Sequence, residues 1–221
     1  MPRELFQKEL QQVQEEMLVM ASMVTAAVDR AVASLKGRDI KLAQQVIDDD
    51  AKINQQRFGI EEECLLLIAT QQPIASDLRI VAAVLSIITD LERMGDHAEG
   101  IAKIAILTGD EPPLKPLIDV PRMAEMSNSM LRRSMDAFMN RDAESARAIA
   151  AEDDLVDQLY EQVYRELLTF MMADPGTINR ATHLLWVAHN LERIADRVTN
   201  VCERVVFLST GRMEEFNVSN Y

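Results

Sequence analysis

The chain has 221 residues, long enough for one large domain or two small ones, and its 48% hydrophobic content supports real cores. Thirty-six acidic against 23 basic residues leave a net charge of −13, which disfavours nucleic acid, whose phosphates need a basic footprint, and favours cations or basic protein surfaces. Few aromatics, abundant methionine and only seven glycines and seven prolines point to an all-α chain.

Leu10, Val13, Met17, Met20, Val24, Ala27 and Ala31 alternate by threes and fours, the apolar seam of a first long helix that stops near Lys36-Gly37. Asp39 caps a second, with Leu42, Val46, Ile53, Ile60, Cys64 and Leu67 on one face, and Gln71-Gln72-Pro73 breaks it. A third runs from about Ile74 to Thr108. The linker Gly109-Asp110-Glu111-Pro112-Pro113-Leu114-Lys115-Pro116 cannot continue a helix. The fourth begins near Pro121, with Met123, Met126, Met130, Leu131, Ala137 and Phe138 on one face. Asn140-Arg141-Asp142 starts a fifth that Asp174-Pro175-Gly176 ends, and the sixth spans about Thr177 to Leu208. The last dozen residues are polar and are expected to be loose.

The amino terminus is charged and carries no signal-type apolar stretch, and the longest apolar run, Ile80 to Ile88, is far short of a membrane span. Cys64 and Cys202 form no Cys-x-x-Cys pair and are expected to be two buried thiols, with the cytoplasm as the default location.

The two halves repeat each other. Gly37-Arg38-Asp39 matches Asn140-Arg141-Asp142 at an offset of 103, which also superposes Met20 on Met123, Arg30 on Arg133 and Leu35 on Phe138. After the second turn the offset falls to 100. Two tandem three-helix bundles follow, residues 1–110 and 117–215.

The repeat also duplicates a mild defect. Leu91-Glu92-Arg93-Met94-Gly95-Asp96-His97 and Leu191-Glu192-Arg193-Ile194-Ala195-Asp196-Arg197 each put two acids four residues apart, on one helix face, at a cost of roughly 0.2–0.5 kcal/mol per pair. On the preceding helix Asp50 and Asn54 are matched by Asp153 and Asp157. At about 1.5 Å of rise per residue, both partners of each set lie roughly 30 Å from the turn between them, at one height of an antiparallel hairpin. Glu92, Asp96 and Glu99 extend an apolar lane of Leu78, Val81, Leu85 and Ile88, so they border a contact surface. Singly, such acid pairs are more often solvated faces. Twice at matched height, they point to a multivalent cation on Asp50, Asn54, Glu92, Asp96, Asp153, Asp157, Glu192 and Asp196, with oxygen donors that suit hard cations and iron. Glu99 is set aside because Lys103 is a favourable i,i+4 partner, and Arg93 and Arg193 are expected to brace neighbouring acids. Asn200 extends the second motif by a turn where Gly100 offers no ligand. His97 lies off the acid lane, His183 on the opposite side, and His189 near the acid face, with Thr89 in its place in the first half. Trp186 and the methionines are expected in core or interface packing.

These motifs, with Asp77-Leu78-Arg79 before the first, resemble the PhoU family of phosphate-transport regulators from about Phe6 to Ser209. The resemblance implies two three-helix bundles in a cytoplasmic, often homodimeric protein. It also implies negative control of the phosphate-starvation response through a phosphate ABC transporter ATPase and a phosphate-sensing histidine kinase. It further implies multinuclear iron or zinc clusters on Glu/Asp-x-x-x-Asp motifs, with manganese or magnesium less expected. Asp153, Asp157, Glu192, Asp196, Glu92 and Asp96 match that pattern; Asn54 departs from it, and Thr177-Ile178-Asn179 replaces the Asp-Leu-Arg stretch. Two other readings remain open. A ferritin-like di-metal carboxylate enzyme would use Glu-x-x-His, which does not occur in the chain. A metal-free helical scaffold is the third.

Overall fold

The computed structural model describes residues 2–109 and 111–216; Met1, Asp110 of the linker and the tail positions 217–221 lie outside the described residues. Every regular element among them is helical: α1 (Pro2–Gly37), α2 (Ile40–Gln71), α3 (Ser76–Thr108), α4 (Asp119–Asn140), α5 (Ala143–Ala150), α6 (Asp153–Ala173), a 3-10 turn (Pro175–Thr177) and α7 (Ile178–Thr210).

The repeat is visible in the turns. Arg38 and Arg141 both take left-handed backbone at φ 55°, which ends α1 and α4. Asp39 then accepts from the Leu42 amide, and Asp142 from those of Glu144 and Ser145, so each second rod starts on an aspartate cap. Arg30 pairs with Asp49 across the first turn at 2.7 Å, and Arg133 pairs with Glu152 across the second.

The second rod of the second half differs from the single helix expected: it is interrupted at Ala151-Glu152. Both residues keep right-handed helical dihedrals, so the backbone carries on in the same hand through the interruption. The restart places Asp153 and Asp154 in the first turn of α6, where the partial positive charge of a helix N-terminus favours acids.

Three-helix packing brings α1, α2 and α3 together, and α4, α5/α6 and α7, while α3 against α7 and α1 against α4 join the halves. The buried apolar side chains form one continuous cluster spanning both repeats. Cross-contacts between Asp90 and Arg197 and between His97 and Asn190 show that α3 and α7 run antiparallel. Across α1 and α4, Asn128 donates to the Thr25 carbonyl and to Asp29.

Among the described residues six methionines are in the core, Met17, Met20, Met94 and Met123 among them, and Met23, Met126 and Met171 pack against it, whereas Trp186 is half exposed beside His183. Cys64 and Cys202 are buried and free, and burial pushes both thiols up to about 12. α1 is long and apolar enough by composition to cross a membrane, with half of its apolar window buried in the bundle.

The carboxyl-terminal stretch, expected to be loose, is tied down as far as Phe216. Glu214 receives a two-pronged pair from Arg147, and the Phe216 amide donates to Glu203 at 3.0 Å. Gly211 ends α7 at φ +73°, and a Cβ there would collide with the Arg79 guanidinium at that helix end.

Candidate metal centre

Each acidic centre lies between the second and third rods of one repeat. In the first, Asp50 of α2 faces the acid lane of α3, brought close because position 95 is glycine. A Cβ at Gly95 would stand 3.3 Å from Asp50 Oδ1 and from two Ile53 carbons. Burial, then the charges of Glu99 and Asp96, push the Asp50 carboxyl up to about 6, against a lowering hydrogen bond from Asn54 and with a further push from Glu92. Asn54 Nδ2 donates to Asp50 Oδ2 at 2.8 Å. The acids of the two rods therefore meet at one height.

The second centre repeats this with a different balance. Asp157 is exposed, yet partial desolvation and then the charges of Glu192, Asp196 and Asp154 push it to about 6 as well. Asp196 is raised by burial first and by Glu192 next, with Arg193 and Arg197 opposing. Asp153 sits deeper, 3% exposed, near enough to Cys202 for its charge to act on that thiol. One turn apart on α6, Asp153 is buried and Asp157 exposed.

The arginines brace the acids as expected. Arg93 reaches Glu92 at 3.5 Å and Asp96 at 3.4 Å, and Arg193 reaches Glu192 at 2.9 Å and Asp196 at 3.1 Å. Among the described residues no three His, Cys, Asp or Glu side chains are grouped so as to hold an ion in this conformation. Capture of an ion would require Arg93 and Arg193 to yield their carboxylates. The donors fit in kind: oxygen atoms from two facing rods, crowded by like charge and partly desolvated, suit a hard cation or iron better than the nitrogen and sulfur sets typical of structural zinc.

Several residues have roles that sequence reasoning did not assign. Glu99 does pair with Lys103, at 2.5 Å, yet its charge also acts strongly on Asp50, as its place on the acid lane could have signalled. Asn200 does not extend the second motif; its amide donates across the seam to Asp90 at 3.0 Å, beside Arg197 Nη1 at 3.1 Å. Asp90 is 8% exposed. One hundred residues on, Asn190 stands in its place and meets His97 Nδ1 at 2.9 Å. His189 lies 3.5 Å from Glu192 and against Tyr160, on the rim of the second centre.

A sequence model of the PhoU domain matches residues 17–105 and again 120–205, one match per repeat. The phosphate-specific transport system accessory protein PhoU homolog of Aquifex aeolicus is 42% identical over 206 residues, 93% of each chain. The homolog of the same name from Clostridium acetobutylicum is 37% identical, covering 98% of this chain and all of that one. The crystal structure of PhoU from Pseudomonas aeruginosa superposes with a TM-score of 0.89 at 37% identity, over 94% of this chain and 100% of that one. That of the phosphate transport system regulatory protein PhoU from Streptococcus pneumoniae gives 0.88 at 34% identity, over 95% and 99%. With both repeats matched and the fold shared over nearly its whole length, the chain belongs to the PhoU family.

Proposed function

We propose that this protein is a non-enzymatic, metal-binding regulator of phosphate transport that restrains the phosphate-starvation response. It acts at the cytoplasmic face through a phosphate ABC transporter ATPase and a phosphate-sensing histidine kinase, as a homodimer. The observation that carries the reading is that full-length relatives bear the name phosphate-specific transport system accessory protein. The two acidic centres support the metal component. Asp50, Glu92 and Asp96 with Asn54, and Asp153, Asp157, Glu192 and Asp196, would hold iron or zinc, the metals the family resemblance implies ahead of manganese or magnesium, and the all-oxygen donor set favours iron of the two. A bound cation would supply charge neutralisation, which offsets the repulsion stored between the facing rods. The chain's own residues set the rest: Gly95 admits Asp50 against α3, and Arg93 and Arg193 hold the acids when no cation does.

The test pairs genetics with biochemistry. Deletion is expected to derepress phosphate-responsive genes at high phosphate, and the purified protein to retain the transporter ATPase or the kinase in a pulldown. Unchanged expression together with no retention would end this reading.

A further inference from the structure

The two repeats share an acid pair but not the cation that goes with it. In the second repeat the Lys115 side chain, 9% exposed, is clamped between Asp119, at 3.0 Å, and Glu166 of α6. Burial alone would lower the pKa of this ammonium, and the hydrogen bonds it donates to Glu166 and Asp119 outweigh that and raise it. Leu114 and Leu117, on either side of it, pack on the core. Subtracting 103 carries Lys115, Asp119 and Glu166 onto Gln12, Glu16 and Glu63. Both carboxylates persist, while the lysine becomes a neutral amide that merely donates to Glu16 at 3.2 Å. Partial burial, then the Glu16 charge, raise the Glu63 carboxyl, the signature of an acid without its cation.

Beside this pair an open groove of about 420 Å³ runs between α1 and α2, with Val13 and Leu67 in its floor and Glu63 and Leu66 on its wall. Leu66 is 63% exposed. At about 100° per residue, Glu63 and Leu66 lie roughly half a turn round α2 from Asp50, so the groove is separate from the acidic centre.

We propose that the α1–α2 groove docks a lysine- or arginine-bearing apolar segment of a protein partner, its cation taking between Glu16 and Glu63 the place that Lys115 holds between Asp119 and Glu166. Charge complementarity selects the cation and the leucine wall selects its apolar neighbours, the same pairing of Leu114 and Lys115 that the second repeat supplies from its own linker. This deepens the accessory-protein reading, on which it rests for the existence of a partner, and it does not depend on metal.

The probe is the peptide acetyl-Pro-Pro-Leu-Lys-Pro-Leu-Ile-amide, added to full-length protein labelled at leucine and valine methyls. Saturable shifts at Val13, Leu66 and Leu67 are expected with a Kd on the order of 0.1–1 mM. Norleucine in place of the peptide lysine, or Glu63→Gln in the protein, is expected to weaken binding about tenfold. Gln12→Lys, which supplies the cation internally, is expected to raise Tm and abolish the titration. Absence of shifts, binding indifferent to the peptide lysine or to Glu63, or binding unchanged in Gln12→Lys would overturn the proposal. Self-association abolished by Glu63→Gln would assign the groove to a second copy and overturn it equally. The Glu192→Gln/Asp196→Asn protein is expected to bind the peptide normally, so a failed titration leaves the metal reading untouched, and the expression assay tests the regulatory role separately.

Discussion

Arg197 Nη1 lies 3.1 Å from Asp90 Oδ1, joining residues 107 apart in sequence across the seam where the two repeats meet. The contact adjoins both acidic centres: Asp90 is two residues before Glu92, and Arg197 follows Asp196. Asp90 is buried and also receives Asn200, whereas the equivalent place on α7 holds the neutral Asn190, which meets His97 of α3. Asp90→Ala leaves a guanidinium and an amide unmatched and is expected to cost about 1–3 kcal/mol, discounted toward the lower end because Arg197 is partly exposed. That corresponds to roughly 2–4 °C of Tm per kcal/mol for a chain of this size. Asp90→Asn, which copies the other side of the seam, is expected to lose less. Thermal unfolding of the three proteins checks the order, and equal Tm values would remove the seam contact from the stability argument.

Acidic crowding predicts an unusual pH dependence for the metal-free protein. Asp50 and Asp157 titrate near 6 when folded against an ordinary value of 3.8. Between those values the folded state holds protons that the unfolded chain has released, so stability falls as pH rises through the window from about 4 to 6. With discounting for the exposure of Asp157, the two together contribute on the order of 1–3 kcal/mol. Below the window the opposite sign takes over. Asp49, held low by hydrogen bonds from Lys52 and Arg30, and Glu152, held low by Arg133, lose their contribution as they protonate. Chelator-treated protein is therefore expected to be more stable near pH 5 than at pH 7, and Asp50→Asn/Asp157→Asn to flatten that difference. Melting curves at the two pH values decide it.

The rods, their caps and the duplicated acids were legible in sequence because they rest on local rules. A 3.6-residue apolar period, aspartate at the start of a helix and proline in a linker act within a few residues. The matched height of Asp50 and Glu92 followed from counting rise out of a single turn. What sequence did not show depends on contacts between distant segments. Asn200 looks like a further turn of the acid lane until α3 lies against α7 and Asp90 takes its amide. The interruption at Ala151-Glu152 sits within a continuous helical pattern, and the polar tail gives no sign that Glu214 and Phe216 find partners. Glu99 pairs with Lys103 as its spacing predicts, and its push on Asp50 emerges only once α2 lies against α3.

Loss of the second centre's acids separates the metal reading from a metal-free scaffold. Glu192→Gln/Asp196→Asn is expected to lose about half of the bound iron or zinc, the share of one centre of two. The same variant, stripped of metal, is expected to melt no lower than the parent, since its like-charge repulsion is relieved. Elemental analysis of both proteins after identical loading gives the answer. Equal metal content would dismiss these residues as ligands.

Asn54 is where the first centre departs from the second, and the departure has a physical reading. Its amide donates to Asp50 at 2.8 Å and so lowers a carboxyl that burial and three acids of α3 push upward. Asp157, in the same place on α6, adds a charge instead. Asn54→Asp should therefore act in opposite directions on the two states. Without metal it removes a donor and adds a like charge four residues from Asp50, so Tm at pH 7 is expected to fall, by about 0.5–2 kcal/mol in stability. With metal the added carboxylate supplies a further oxygen ligand, and the first centre is expected to bind iron or zinc more tightly than in the parent. Calorimetric titration into a Glu192→Gln/Asp196→Asn background isolates that centre. A lower apo Tm with unchanged affinity would mean that position 54 tunes the charge of Asp50 without touching the ion.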